Sequence, residues 1–105
     1  MIRVSGAIED PSTRTPNQVY VITSKTLNGR PCYIDYDNNY GMWYDGGTNW
    51  MIGNYANIDE GRARYGFMMN DENTMCPNHA TSWQQTRRNG QWVNVNAHLD
   101  CIGKF

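Results

Sequence analysis

A chain of 105 residues has room for one domain with a modest core, and residues 1–105 read as a single all-β unit. A net charge of −1, with 18% charged residues, argues against a broad basic face for nucleic acid or anionic lipid. No apolar run reaches the roughly 20 residues of a membrane span, and the start lacks the charged and apolar stretches of a secretory signal. A secreted form would then be a module within a longer protein.

The composition favours short strands and tight turns. Thirteen Asn and ten Gly supply turn residues, while seven Tyr and four Trp outnumber two Phe. Residues 2–7 read as an opening strand that stops at Gly6, and residues 9–17, with Pro11 and Pro16, as a loop. Gln18-Val-Tyr-Val-Ile-Thr23 is β-branched and aromatic, hence a strand, and Asn28-Gly29 after it is a strong hairpin signal. Residues 31–36 follow, with Cys32, Ile34 and Tyr36 on one face and Tyr33 and Asp35 on the other. Cys32 beside Ile34 reads as a buried, unreactive thiol.

Residues 40–53 form the predicted central hairpin. Two aromatic runs, with Trp43, Tyr44 and Trp50, flank Asp45-Gly46-Gly47-Thr48. Residues 54–61 are a polar connection, 64–69 another strand, and 70–77 a loop. Residues 83–88 and 91–95 then flank Asn89-Gly90, a second two-residue hairpin signal. Apolar spacing of 3.6 residues is absent, so no long helix is expected. The pattern predicts a compact antiparallel sandwich or small barrel of about eight short strands built from hairpins.

With Asn89-Gly90 as a two-residue turn, Arg87 faces Trp92 and Thr86 faces Val93. Val93, Val95, Ala97 and Leu99 then form an apolar stripe for the core. Trp83, Gln85, Arg87, Trp92, Asn94 and Asn96 share the opposite face, which combines indoles with amide and guanidinium donors. This face is the candidate ligand-binding surface. The competing reading covers it by sheet packing, with Arg87 stacked on Trp92.

Cys76-Pro-Asn-His79 and His98-Leu-Asp-Cys101 mirror each other, and the hairpin between them is expected to bring Cys76 near Cys101. Three readings stay open: a disulfide closing a loop of about 25 residues, worth roughly 3 kcal/mol by the chain-entropy argument; a closed Cys2His2 zinc site with non-standard spacing; or reduced thiols. The disulfide is preferred, with no metal or other cofactor, and would point to an oxidising compartment.

Other chemistry is thin. Asp35-Tyr36-Asp37-Asn38-Asn39 starts like a calcium loop, but Tyr40 and Gly46 stand where an EF-hand needs Gly and Glu, so an Asx turn is the plainer reading. His79 and His98 are the only candidate bases near neutral pKa, each Cys is better explained by its partner, and no Gly-rich phosphate loop opens a helix. The chain therefore reads as no enzyme. Arg62 and Arg64 near Tyr65, and Arg87 and Arg88 near Trp92, lack a continuous basic groove for single strands.

Val4-Ser-Gly-Ala7, Asn28-Gly-Arg-Pro31 with Tyr33, Trp43-Tyr-Asp-Gly46 and Trp50-Met-Ile-Gly53 together resemble a small β-module that occurs in tandem in multidomain proteins of animals, algae and protists. The resemblance runs from Val4 to Trp83. The closing pattern of Cys76-Pro77, Trp83, Trp92 and Cys101 looks like the animal, extracellular versions. The modules have no established activity, so the resemblance implies a self-contained interaction or structural domain. The expected function is a non-enzymatic binding module for carbohydrate, with a structural or protein-interaction domain as the alternative.

Overall fold

The protein is described from a computed structural model covering residues 1–9, 15–37, 39–47, 49–61, 65–70, 72, 76–87 and 90–102. Among the described residues there are nine strands: β1 (Ile2–Ser5), β2 (Val19–Leu27), β3 (Arg30–Asp35), β4 (Tyr40–Tyr44), β5 (Trp50–Asn54), β6 (Met68–Asn70), β7 (Trp83–Thr86), β8 (Trp92–Val95) and β9 (His98–Cys101). A helical turn, α1 (Ala56–Asp59), follows β5, and a 3-10 turn at Pro77–His79 precedes β7.

Turn chemistry explains the first hairpin. Asn28 and Gly29 both adopt positive φ, 54° and 79°, and Leu27 faces Arg30 across a two-residue turn. Such a turn matches the right-handed twist of its strands. The central hairpin also forms as its residues predict, with Tyr44 facing Trp50 and the backbone N–H of Asp45 donating to the Asn49 carbonyl. The fourth strand is buried along its whole length, which fits its place in the middle of the sheet.

All neighbouring strands are antiparallel, in the order β8-β7-β6-β5-β4-β3-β2-β1-β9. Only Asn96 and Ala97 separate β8 from β9 in the chain, yet these strands stand at opposite edges. In a flat sheet those edges would lie about 38 Å apart, at about 4.8 Å per strand. Three Cα steps from Val95 to His98 reach at most about 11 Å. The sheet must therefore curl strongly, and it does so as a half-barrel. Residues 92–101 act as a corner: the first half pairs with β7, then the chain bends and the second half pairs with β1. The ninth strand goes beyond the expected eight or so, because Ala97 and Leu99 read in the sequence as a continuation of the preceding apolar stripe.

Gly6 sits at this corner with φ 80°, and a β-carbon there would land on the carbonyl oxygen of Asn96. Just beyond it, two side-chain amides replace missing strand partners. Asn17 accepts from the Ala7 N–H (2.9 Å) and donates to the Ala7 carbonyl (3.0 Å). Gln85 accepts from the Ile8 N–H (2.8 Å) and donates to the Ile8 carbonyl (2.9 Å).

The barrel interior holds Val4, Tyr20, Met42, Trp50, Ile52, Met68, Trp83 and Leu99. A second cluster, Cys32, Trp43, Met51 and Ile58, lies on the outer face under α1. Gly41 and Gly53 face each other there, and a β-carbon on either would strike Tyr55 or the Tyr65-Gly66 backbone. Glycine at this pair lets the connection between β5 and β6 lie flat on the sheet. That connection contains the helical turn where the sequence predicts a polar loop, and β6 spans Met68–Asn70 where the sequence predicts a strand over 64–69, of which residue 64 lies outside the described residues. Among the described residues no helix is long and apolar enough to cross a membrane.

Candidate functional site

The hairpin joining β7 and β8 decides which side chains reach solvent. Thr86 faces Trp92, Gln85 faces Val93, Gln84 faces Asn94 and Trp83 faces Val95. The Arg87 N–H donates to the Gln91 carbonyl (2.8 Å) and the Gly90 N–H to the Arg87 carbonyl (2.8 Å), with Gly90 at φ 81°. Three residues therefore separate Arg87 from Gln91, where the Asn89-Gly90 signal predicts two; Arg88 and Asn89 themselves lie outside the described residues. One extra residue moves every cross-strand partner by one and flips one strand's faces relative to the other.

The expected face of Trp83, Gln85, Arg87, Trp92, Asn94 and Asn96 is thereby divided. Trp83, 1% exposed, fills the barrel interior, and its indole N–H donates to the Ala80 carbonyl at 3.4 Å. Gln85 points the same way and is consumed by Ile8. Both share the interior side with Val93 and Val95. Trp92, Asn94 and Asn96 alternate on the outer side and are exposed, and Arg87 is exposed at the strand end. The physical cause is burial: removing an indole from water outweighs the local preference of Asn-Gly for a two-residue turn. The apolar stripe itself forms as predicted, with Ala97 and Leu99 buried and Val95 packed on the core.

The residues that join Trp92 on the outer face are Gln84 and Thr86. The Gln84 amide donates to the Asn94 side-chain oxygen at 3.2 Å, and the Thr86 hydroxyl donates to the Phe67 carbonyl at 3.4 Å. The surface is thus one indole flanked by two linked carboxamides and a hydroxyl. Trp-Gln-Gln-Thr is mixed on both faces, so only the size of Trp83 signals which face turns inward. Trp43, Tyr44 and Trp50 of the central hairpin are all core.

A second constellation involves the thiols. Cys76 precedes the 3-10 turn, which packs against β9, and Cys101 ends that strand. Burial raises the pKa of the Tyr33 hydroxyl, and Cys76 and then Cys101 add to the rise. The two ends do converge, but through the packing of the 3-10 turn on the corner strand rather than through the hairpin alone. Cys32, Cys76 and Cys101 are all thiols, so the expected Cys76–Cys101 bond is not formed. Cys32 is fully buried, and that burial raises its pKa, as expected of an inert thiol. The zinc reading needs His79, whose side chain lies outside the described residues. Among the described residues no three His, Cys, Asp or Glu side chains come together to hold a metal. Asp35 is buried and its carboxylate accepts from the Asp37 N–H at 3.1 Å, the local bond of an Asx turn. Facing it across the sheet, Tyr20 donates to the Pro16 carbonyl and has its pKa raised by burial, then by Asp35 and Tyr40.

No protein-family model matches the sequence, and no curated protein or solved structure matches it.

Proposed function

We propose that this chain is a non-enzymatic binding module that recognises carbohydrate through the outer face of its last hairpin. The observation that carries the reading is the placement of Trp92, 36% exposed, beside the Gln84–Asn94 amide pair and Thr86. A pyranose presents an apolar face to an indole and hydroxyls to amides, and this surface offers both complements. The test is a glycan array probed with the wild type and with a variant, Trp92→Ala, at this partly exposed position. Binding lost in the variant supports the reading; binding unchanged, or absent in both, overturns it.

A structural or protein-interaction domain is the second reading, favoured by one observation. Trp43, Trp50 and Trp83 are buried. Intrinsic fluorescence separates the two: a quencher-accessible, red-shifted component that disappears in Trp92→Phe supports a usable indole, whereas uniformly protected emission supports an all-core role.

The module resembles tandem extracellular repeats, and we assign it to an oxidising environment in which Cys76 and Cys101 join. A small-molecule disulfide of the glutathione class would accept their two electrons and two protons and leave as two thiols. Intact mass after incubation with that oxidant checks this; the expected product has lost two hydrogens, and a mixed disulfide at Cys101 alone would argue against it.

A further inference from the structure

The exposed aromatic side chains of the described residues gather at one end of the barrel. Tyr36 (69% exposed) lies between β3 and β4, Tyr65 (68%) between β5 and β6, and Trp92 opens β8. In an antiparallel meander these three connections fall at the same end. The opposite end shows no such feature among the described residues: Tyr44, Trp50 and Trp83 at its strand ends are buried. Among the described residues, Ile22 is the remaining exposed large apolar side chain.

The register gives the spacing. Three strand intervals separate β3 from β6, about 14 Å, and two separate β6 from β8, about 10 Å. The backbone links the steps: the Thr86 N–H donates to the Phe67 carbonyl (2.9 Å), and the Tyr55 N–H to the Asn39 carbonyl (2.9 Å). Asn57 donates to the Tyr65 carbonyl at 2.9 Å and anchors that residue on the outer face. Among the described residues, exposed Asn39 and Asn54 and the hydroxyl of half-buried Thr86 stand between the rings. A protein–protein hot spot has its aromatics joined in a dry apolar centre. Rings separated by amides suit a ligand that repeats an apolar face and a polar edge.

We infer that the site takes a linear oligosaccharide laid along this rim, with Trp92, Tyr65 and Tyr36 as successive stacking platforms, an inference that rests on the carbohydrate reading above. A single sugar meets one ring. A chain of several units meets two or three, and each further platform adds affinity by making the next contact intramolecular.

The experiment is a calorimetric titration with neutral β-1,4-linked oligomers of glucose and of N-acetylglucosamine, one to six units long. The expected result is at least about a tenfold gain in affinity from the shortest binding member to the hexamer, equivalent to about 1.4 kcal/mol. Trp92→Ala abolishes binding at every length. Tyr65→Ala and Tyr36→Ala, both solvent-facing, remove the gain with length. Length-independent affinity untouched by the two Tyr variants overturns the extended site and leaves the carbohydrate reading standing. Loss of affinity for no oligomer because none binds overturns both. Self-association in sedimentation that Trp92→Ala and Tyr65→Ala abolish assigns the rim to a second copy of the chain and also overturns it.

Discussion

Gln85 and Ile8, 77 residues apart, are joined as two paired strands would be. The Gln85 side-chain oxygen accepts from the Ile8 N–H at 2.8 Å, and its amide nitrogen donates to the Ile8 carbonyl at 2.9 Å. A side chain of β7 thereby takes the place of a strand partner for the segment that leaves β1. Asn17 does the same for Ala7 from the other side, so two carboxamides fasten the segment leaving β1. Without them this stretch would present main-chain groups to a partly buried seam.

Gln85→Ala is therefore expected to destabilise the fold by about 1–3 kcal/mol, the cost of two backbone groups left without partners. Urea unfolding checks it through a lower midpoint at an unchanged slope. Amide exchange at Ile8 should accelerate more than at Val4, which keeps its bond to the Gln18 carbonyl. A midpoint equal to that of the wild type would show that the seam closes without this contact.

Two glycines with nearly equal φ separate backbone strain from crowding. Gly29 has φ 79° and open space where a β-carbon would go, whereas at Gly6 (φ 80°) that carbon would collide with the Asn96 carbonyl. Gly29→Ala should cost about 1–2 kcal/mol, the left-handed penalty alone. Gly6→Ala adds a backbone collision at the corner and should cost more than about 3 kcal/mol or prevent folding. Thermal unfolding of both variants decides it; equal losses would mean that the corner relaxes freely.

Much of this fold can be read from residue types. Asn28-Gly29, the aromatic hairpin around Asp45-Gly46-Gly47 and the Val93, Val95, Ala97, Leu99 alternation each specify their local geometry, and each forms. The remainder depends on contacts distant in sequence. No local signal says that the alternating stripe bends at Ala97 and changes partner, because that bend is set by β1 waiting on the far edge. Nor does Asn89-Gly90 reveal that burying Trp83 shifts the register by one. The candidate surface was legible in the same proportion: Trp92, Asn94 and Asn96 keep a common face, while Trp83 and Gln85 exchange places with Gln84 and Thr86.

Glu72 makes stability depend on acid pH. Its carboxylate accepts from the N–H of Thr81 (2.8 Å), the Asn70 amide (3.1 Å), the Ser82 N–H (2.7 Å) and the Thr81 hydroxyl (3.0 Å). The Thr81 N–H, then Asn70 and Ser82, hold its pKa down to about 2 from the ordinary 4.5. A pKa depressed in the folded state means that the contribution is complete above the unfolded value and is lost as pH falls from about 4.5 towards 2. Urea midpoints between these limits should fall for the wild type and respond less in Glu72→Gln, which starts lower. Parallel profiles for the two proteins would remove Glu72 as the cause.

The three thiols should react in the order of their access. Cys101 is exposed, Cys76 half-buried and Cys32 fully buried with its pKa raised, so an aromatic disulfide reagent should label Cys101 first and Cys32 last. Cys32 lies in the outer cluster, under Ile58 of a four-residue helical turn that the Lys25–Asp59 ion pair ties to β2. So short a cover opens at lower cost than the barrel beneath it. Labelling of Cys32 should then proceed at a rate nearly independent of low urea, the sign of a local opening that exposes little surface. Ile58→Ala should speed it at least tenfold, since truncating a buried Ile costs about 2 kcal/mol or more and that loss falls on the cover. The interior cluster does not include Ile58, so amide protection at Ile52 and Met68 should fall much less than labelling rises. A Cys32 rate that instead tracks global unfolding in urea would mean that the outer cluster and the barrel open as one unit.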